Sequence, residues 1–185
     1  MTETIDAQKA FSGTVAPEGA DVLDEAKLTA WMEANVEGFE GPLTQSKFAG
    51  GQSNPTYKIS APSGNYVLRR KPFGPLLPSA HAVDREYKVQ AGLHKMGYPV
   101  ARQYGLCTDD SVVGSWFYVM GMVDGHTIWD GSMPGSTPEN RRATYFAMID
   151  ALAALLHALD MAARSIAGPN SIASPRPRRW TRWNG

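Results

Sequence analysis

One cysteine, Cys107, in 185 residues excludes an internal disulfide and a zinc centre built on a cysteine cluster. A reducing, cytoplasmic setting is the expectation that follows. Charge of one sign is not in excess either, since 18 Lys+Arg balance 18 Asp+Glu. Net electrostatics therefore gives no reason to expect nucleic acid or a membrane surface as partner. The opening residues M-T-E-T-I-D-A-Q-K-A lack a basic segment followed by an apolar one, so no export leader is expected. No apolar run reads as long enough to span a membrane. His81, His94, His126 and His157 show no H-E-x-x-H or related spacing, which leaves surface or packing roles, and there is no G-x-S-x-G elbow for a serine hydrolase.

What is present is enough apolar material, 43% of the chain, to bury a sizeable core. Residues 1–20 are small and polar and read as a loose arm. From Asp24 to Val36, Leu28, Trp31, Met32 and Val36 recur near helical spacing and predict an amphipathic helix packed under a sheet. The stretch Phe48–Tyr57, F-A-G-G-Q-S-N-P-T-Y, lies between two polar-apolar alternations and predicts a glycine-rich hairpin turn. Gly50 and Gly51 free that backbone for close approach to a ligand, and Ser53 and Asn54 could hold phosphate oxygens. A plain β-turn with no ligand fits the same residues.

Two further strands follow, around Thr56–Ser60 and Tyr66–Lys71, the second turning basic at its end. Ser79 then reads as the N-cap of a helix that carries Glu86 and stops at Gly97 and Pro99. Ala101–Cys107 and Trp116–Val123 predict two more strands. Thr137-Pro138-Glu139 opens a helix with Ile149, Leu152, Leu156 and Leu159 on one stripe.

G-G-Q-S-N-P-T-Y, Y-V-L-R-R-K-P, L-L-P-S-A-H-A-V-D-R-E-Y and F-Y-V-M, in this order, resemble the N-terminal lobe of the aminoglycoside phosphotransferase family, a branch of the protein-kinase-like fold. The branch most resembled is fused, in some proteins, to acyl-CoA dehydrogenases. The resemblance implies an α+β fold: a five-stranded antiparallel sheet with one crossing helix, plus the first helix of a truncated helical C-lobe. The expected organisation is an arm (1–20), a nucleotide-binding lobe with its leading helix (21–123), a linker and first C-lobe helix (124–160) and an irregular basic tail (161–185).

The implied activity is ATP-dependent phosphorylation of a small-molecule hydroxyl, hydroxyacyl-CoA being one candidate acceptor. Strand alternation maps the alanine and lysine of the kinase V-A-I-K motif onto Val67 and Arg69, with Leu68 turned away. Arg69 would hold phosphates, oriented by Glu86, while Met120 and Met122 would lie along the adenine hinge. Arginine in place of lysine keeps the charge but changes the geometry. Arg70 and Lys71 are alternatives for the same role, all three could be solvated edge charges, and Phe117–Met122 could be an ordinary core strand.

The family's H-x-D-x-x-x-x-N segment and its later D-x-D or D-W-E segment, which position the hydroxyl and hold Mg²⁺, do not occur in these residues. No catalytic aspartate or metal ligand is therefore assigned, and a truncated chain is expected that is inactive alone and self-associates through its exposed C-lobe stripe. The other reading is a non-catalytic nucleotide-binding or interaction module, or a decayed remnant. Arg176, Arg178, Arg179 and Arg182 around Trp180 and Trp183 give the tail its basic character, yet nucleic acid and membrane are not expected partners.

Overall fold

The computed structural model describes residues 13–50, 53–74, 80–125, 127–128 and 130–167, with side chains omitted over 163–167. Gly51, Ser79, residues 1–12 of the arm and residues 168–185 of the tail lie outside the described residues. The chain divides into two units, residues 1–142 and 143–185.

The first unit is built on six antiparallel strands: β1 (Thr14–Val15), β2 (Thr44–Phe48), β3 (Thr56–Ala61), β4 (Gly64–Arg70), β5 (Gln103–Cys107) and β6 (Phe117–Gly121). Their order is β1-β2-β3-β4-β6-β5. The five expected strands are present and a sixth joins them: Thr14 and Val15, from the segment read as a loose arm, pair with Phe48 and Lys47. Two residues carry no alternation to read, so this strand exists through its partner rather than through its own pattern.

Helix α1 (Glu25–Asn35) starts on Asp24, whose side chain accepts from the Lys27 amide. It buries Leu28 and Met32 against one face of the sheet, together with Tyr57, Ile59, Leu68, Phe117 and Val119. Trp31 meets Phe117 edge to face at 4.8 Å between ring centroids. Helix α2 (Val83–Lys95) crosses between β4 and β5. It is preceded by Ala82, which makes no side-chain cap, so the helix begins beyond the serine expected to start it. Its end follows expectation: Gly97 adopts φ +77°, and the Tyr98 amide returns to the Leu93 carbonyl. A short helix, α3 (Asp110–Val113), interrupts the β5–β6 connection, with Asp109 accepting from the Ser111 amide at 2.8 Å.

Helix α4 (Pro138–Ala167) has 30 residues, and Thr137 Oγ1 accepts from the Asn140 amide at its start. Ile149, Leu152, Leu156 and Leu159 are all exposed. The expectation about apolar runs needs correction here, because the 25 residues Pro138–Ala162 form a helix long and apolar enough, by length and composition, to cross a membrane. Asp150, His157 and Asp160 break the run when it is read residue by residue but not when it is averaged along the helix. A core helix of a helical lobe meets the same two criteria.

Candidate functional site

Strand alternation separates the two faces of β4. Tyr66 and Leu68 belong to the core under α1, so Val67 and Arg69 point to the opposite face, beneath α2. Directly paired residues share a face, which places Thr56, Arg69 and Tyr118 in one row and Lys58, Val67 and Met120 in the next. Glu86, in the first turn of α2, reaches down onto the Arg69 row.

The contacts there close a ring. Arg69 Nε donates to Glu86 Oε2 at 2.9 Å, and Arg69 Nη1 donates to Thr56 Oγ1 at 3.1 Å. The Thr56 hydroxyl donates to the Asn54 carbonyl at 3.0 Å, and Asn54 Nδ2 donates back to Glu86 Oε1 at 3.1 Å. Two groups brace the ring from outside: the Tyr118 hydroxyl donates to Glu86 Oε2 at 3.2 Å, and His81 Nδ1 lies 2.8 Å from Asn54 Oδ1. Gln90 in turn donates to the Tyr118 hydroxyl, and Gln103 to Gln90. Beside the ring opens a cleft of about 760 Å³, lined in part by Ser53, Asn54, Arg69, His81, Arg85 and Glu86. Arg69 Nη2 has no hydrogen-bond partner among the described residues, which leaves one edge of a fixed guanidinium free.

The other two basic residues of the strand are committed elsewhere. Arg70 is 1% exposed and faces the α1 side, where Nη2 bonds Asp21 Oδ1 at 2.9 Å. Lys71 Nζ stands over the Trp116 ring, 3.9 Å from its centroid. Of the residues expected at a nucleotide site, the structure brings Ser53, Asn54, Arg69 and Glu86 together. Val67 lies on the same face, buried, with Met120 as its register partner. Gly50 is at the bend after β2, and Met122 lies half-buried just beyond β6. Sequence reasoning missed Thr56, His81, Tyr118 and Gln90. The parity of Tyr118 with Met120 was a usable signal, while the other three depend on contacts across the fold.

Burial first, and then the adjacent Glu86 carboxylate, push the Tyr118 hydroxyl up to about 12. Burial also raises Tyr57 on the other face. A folded value above the unfolded one of about 10 means that the neutral phenol stabilises the fold fully below pH 10. That contribution is lost as the pH rises through about 12. In a spectrophotometric titration Tyr57 and Tyr118 should ionise late and together with unfolding, and Tyr118→Phe should remove one late step. A Tyr118→Phe variant whose titration matches wild type would contradict this assignment.

A five-strand core with order β2-β3-β4-β6-β5, crossed by a helix whose glutamate grips an arginine of the third core strand, is the N-lobe of a kinase-like phosphotransferase. The profile of the phosphotransferase enzyme family (APH) matches residues 44–184, a span that runs through the Arg/Trp tail. The chain belongs to this family. It is 38% identical over 165 residues to acyl-CoA dehydrogenase family member 11 of Homo sapiens, covering 87% of this chain and 21% of that protein. With family member 10 of Mus musculus the identity is 40% over 143 residues, covering 77% and 13%. The chain thus spans about a fifth or less of the length of these relatives. A solved structure from Ralstonia eutropha JMP134, assigned to the aminoglycoside phosphotransferases, is similar with a TM-score of 0.56 and 45% identity over 67% of this chain and 35% of that one.

Proposed function

We propose that this chain is the nucleotide-binding lobe of an ATP-dependent phosphotransferase acting on a small-molecule hydroxyl. The observation that carries this reading is the Arg69–Glu86 pair in the wall of the cleft, with Arg69 Nη2 unpaired among the described residues. A guanidinium held at two nitrogens and free at the third suits a phosphate oxygen, because its planar fork is already oriented and the charge-assisted bond need not order it. Ser53, which lines the same cleft, is a further donor, and the backbone around Met120 and Met122 would meet the adenine edge. Bound ATP with Mg²⁺ supplies the transferable phosphoryl group and neutralises its charge. This lobe would grip the phosphates of the nucleotide.

The acceptor we favour is a hydroxyacyl-CoA, supported by relatives named as acyl-CoA dehydrogenase family members. A second reading, a nucleotide-binding or interaction module without transfer, draws on the lack of an H-x-D-x-x-x-x-N segment in these 185 residues. Under either reading the chain alone transfers nothing, and its setting is the cytoplasm.

Amide NMR titration with ATP tests the reading. Signals of Gly50, Gly51 and Ser53 should shift, and Arg69→Ala should weaken the response about tenfold or more, the loss of one charge-assisted hydrogen bond. Lys71→Ala should leave it nearly unchanged. Absent shifts, or equal losses in both variants, would overturn the phosphate role.

A further inference from the structure

Asn54 was read from sequence as a residue that could touch phosphate, but its side chain is buried and turned to protein partners. It is 3% exposed, and both ends of its carboxamide are engaged by Glu86 and His81. The atom identities follow from chemistry. A carboxylate paired with Arg69 can only accept, so the Asn54 atom facing Glu86 Oε1 is the amide nitrogen. Oδ1 therefore faces His81, and His81 Nδ1 must carry a hydrogen to donate to it. The bonds run in one direction, from His81 through Asn54 to Glu86, where Arg69 and Tyr118 donate to the other oxygen. His81 itself holds φ +55°, a left-handed conformation uncommon for a residue with a Cβ. Backbone held off its preferred basins at a cleft wall is a frequent mark of a constrained functional group.

We propose that Asn54 and His81 are positioning residues: they lock the Glu86 carboxylate to the glycine loop, and through it fix the Arg69 fork before any phosphate arrives. The proposal rests on the nucleotide reading for its purpose, not for its geometry. Asn54 acts by joining two elements that share no strand, the loop after β2 and the first turn of α2. With that link cut, Glu86 keeps Arg69 and Tyr118 on one oxygen but loses the partner that sets its rotation.

The test uses the 185-residue chain and two kinds of readout. In the absence of nucleotide, ¹⁵N NMR of the imidazoles should show His81 as the Nδ1–H tautomer, and the Arg69 Nε–H signal should be protected from exchange. His81→Phe removes the donor, whereas His81→Gln retains an N–H at similar reach, and both pay the same backbone strain. The Phe variant should speed Arg69 Nε–H exchange and weaken ATP about fivefold, the loss conveyed by one neutral hydrogen bond, while the Gln variant stays near wild type. Asn54→Ala should reproduce the Phe result, but the half-buried His81 pair decides if that variant folds poorly. An Nε2–H tautomer, or equal Arg69 exchange in the Phe and Gln variants, would overturn the proposal. If the wild-type chain binds no ATP, the nucleotide reading falls, and the tautomer and exchange still decide whether His81 and Asn54 hold the clamp.

Discussion

Arg70→Ala is expected to lower the melting temperature of this chain by roughly 10 °C, whereas Arg69→Ala, one residue away, shifts it little. Arg70 is 1% exposed and spends its guanidinium on three partners: Asp21 Oδ1 at 2.9 Å, the Tyr57 hydroxyl at 3.2 Å and the Lys71 carbonyl at 3.1 Å. The Phe73 ring covers it at 3.8 Å. Truncation leaves these groups unpaired and opens a void. The cost is about 3 kcal/mol, the low end for a broken buried ion pair because Asp21 keeps access to water. At about 2–4 °C per kcal/mol for a chain of this size, that gives the stated shift. Acid sensitivity supplies a second check. The hydrogen bond from Lys47, with the charges of Lys47 and Arg70, outweighs burial and holds Asp21 below the ordinary carboxylate range. Its stabilisation is therefore present above the unfolded value and lost as the pH falls through the depressed one. Arg70→Ala should flatten that acid limb, and equal melts for the two arginine variants would show that the buried network contributes nothing particular.

Phe117→Ala should cost about 3–5 kcal/mol, the range for an aromatic ring deleted from a packed core. Phe117 is fully buried in β6, between β4 and β5, with Trp31 of α1 packed against its ring. The substitution therefore removes the contact that fastens the helix to the sheet. Leu156→Ala on α4 is the control, expected within about 0.5 kcal/mol because that side chain is 60% exposed. Urea unfolding would measure both, with a lower midpoint and an unchanged slope for Phe117→Ala and a red shift in the emission of Trp31. A loss below about 1 kcal/mol would mean that α1 is held by its other contacts, Leu28 and Met32 above all.

Elements with a period of their own were legible in the sequence. The α1 stripe, the parity of Val67, Leu68 and Arg69 and the helix start at Thr137-Pro138 all appear where local pattern places them. Local chemistry could not reveal β1, which is two residues long and formed by its neighbour. Nor could it reveal α3, a four-residue turn of helix between β5 and β6. The site divides along the same line. Arg69 and Glu86 came from motif order, whereas Thr56, His81 and Tyr118 joined through pairing register and side-chain reach. Asn54 was read as a phosphate contact, and in the structure its carboxamide also engages Glu86 and His81. Strand alternation pointed to Arg69 among the three consecutive basic residues, with Arg70 and Lys71 left as alternatives. Burial and partners decided it, with one in the cleft, one in the core and one over an indole.

Neighbouring arginines on opposite faces of β4 also bear on how insertions and deletions would be tolerated. A single residue gained or lost in the turn before Gly64, or within the strand, would shift the pairing by one step and exchange the two faces. In one direction of that shift, the arginine now held by Asp21 would be carried to Glu86, and the one now held by Glu86 would take the place of Leu68 in the apolar layer beside Tyr57 and Ile59. Side chains of identical chemistry would then occupy wrong addresses, with the composition of the strand unchanged. Length variation among natural homologues should therefore spare this hairpin and collect instead in segments whose residues face a single side.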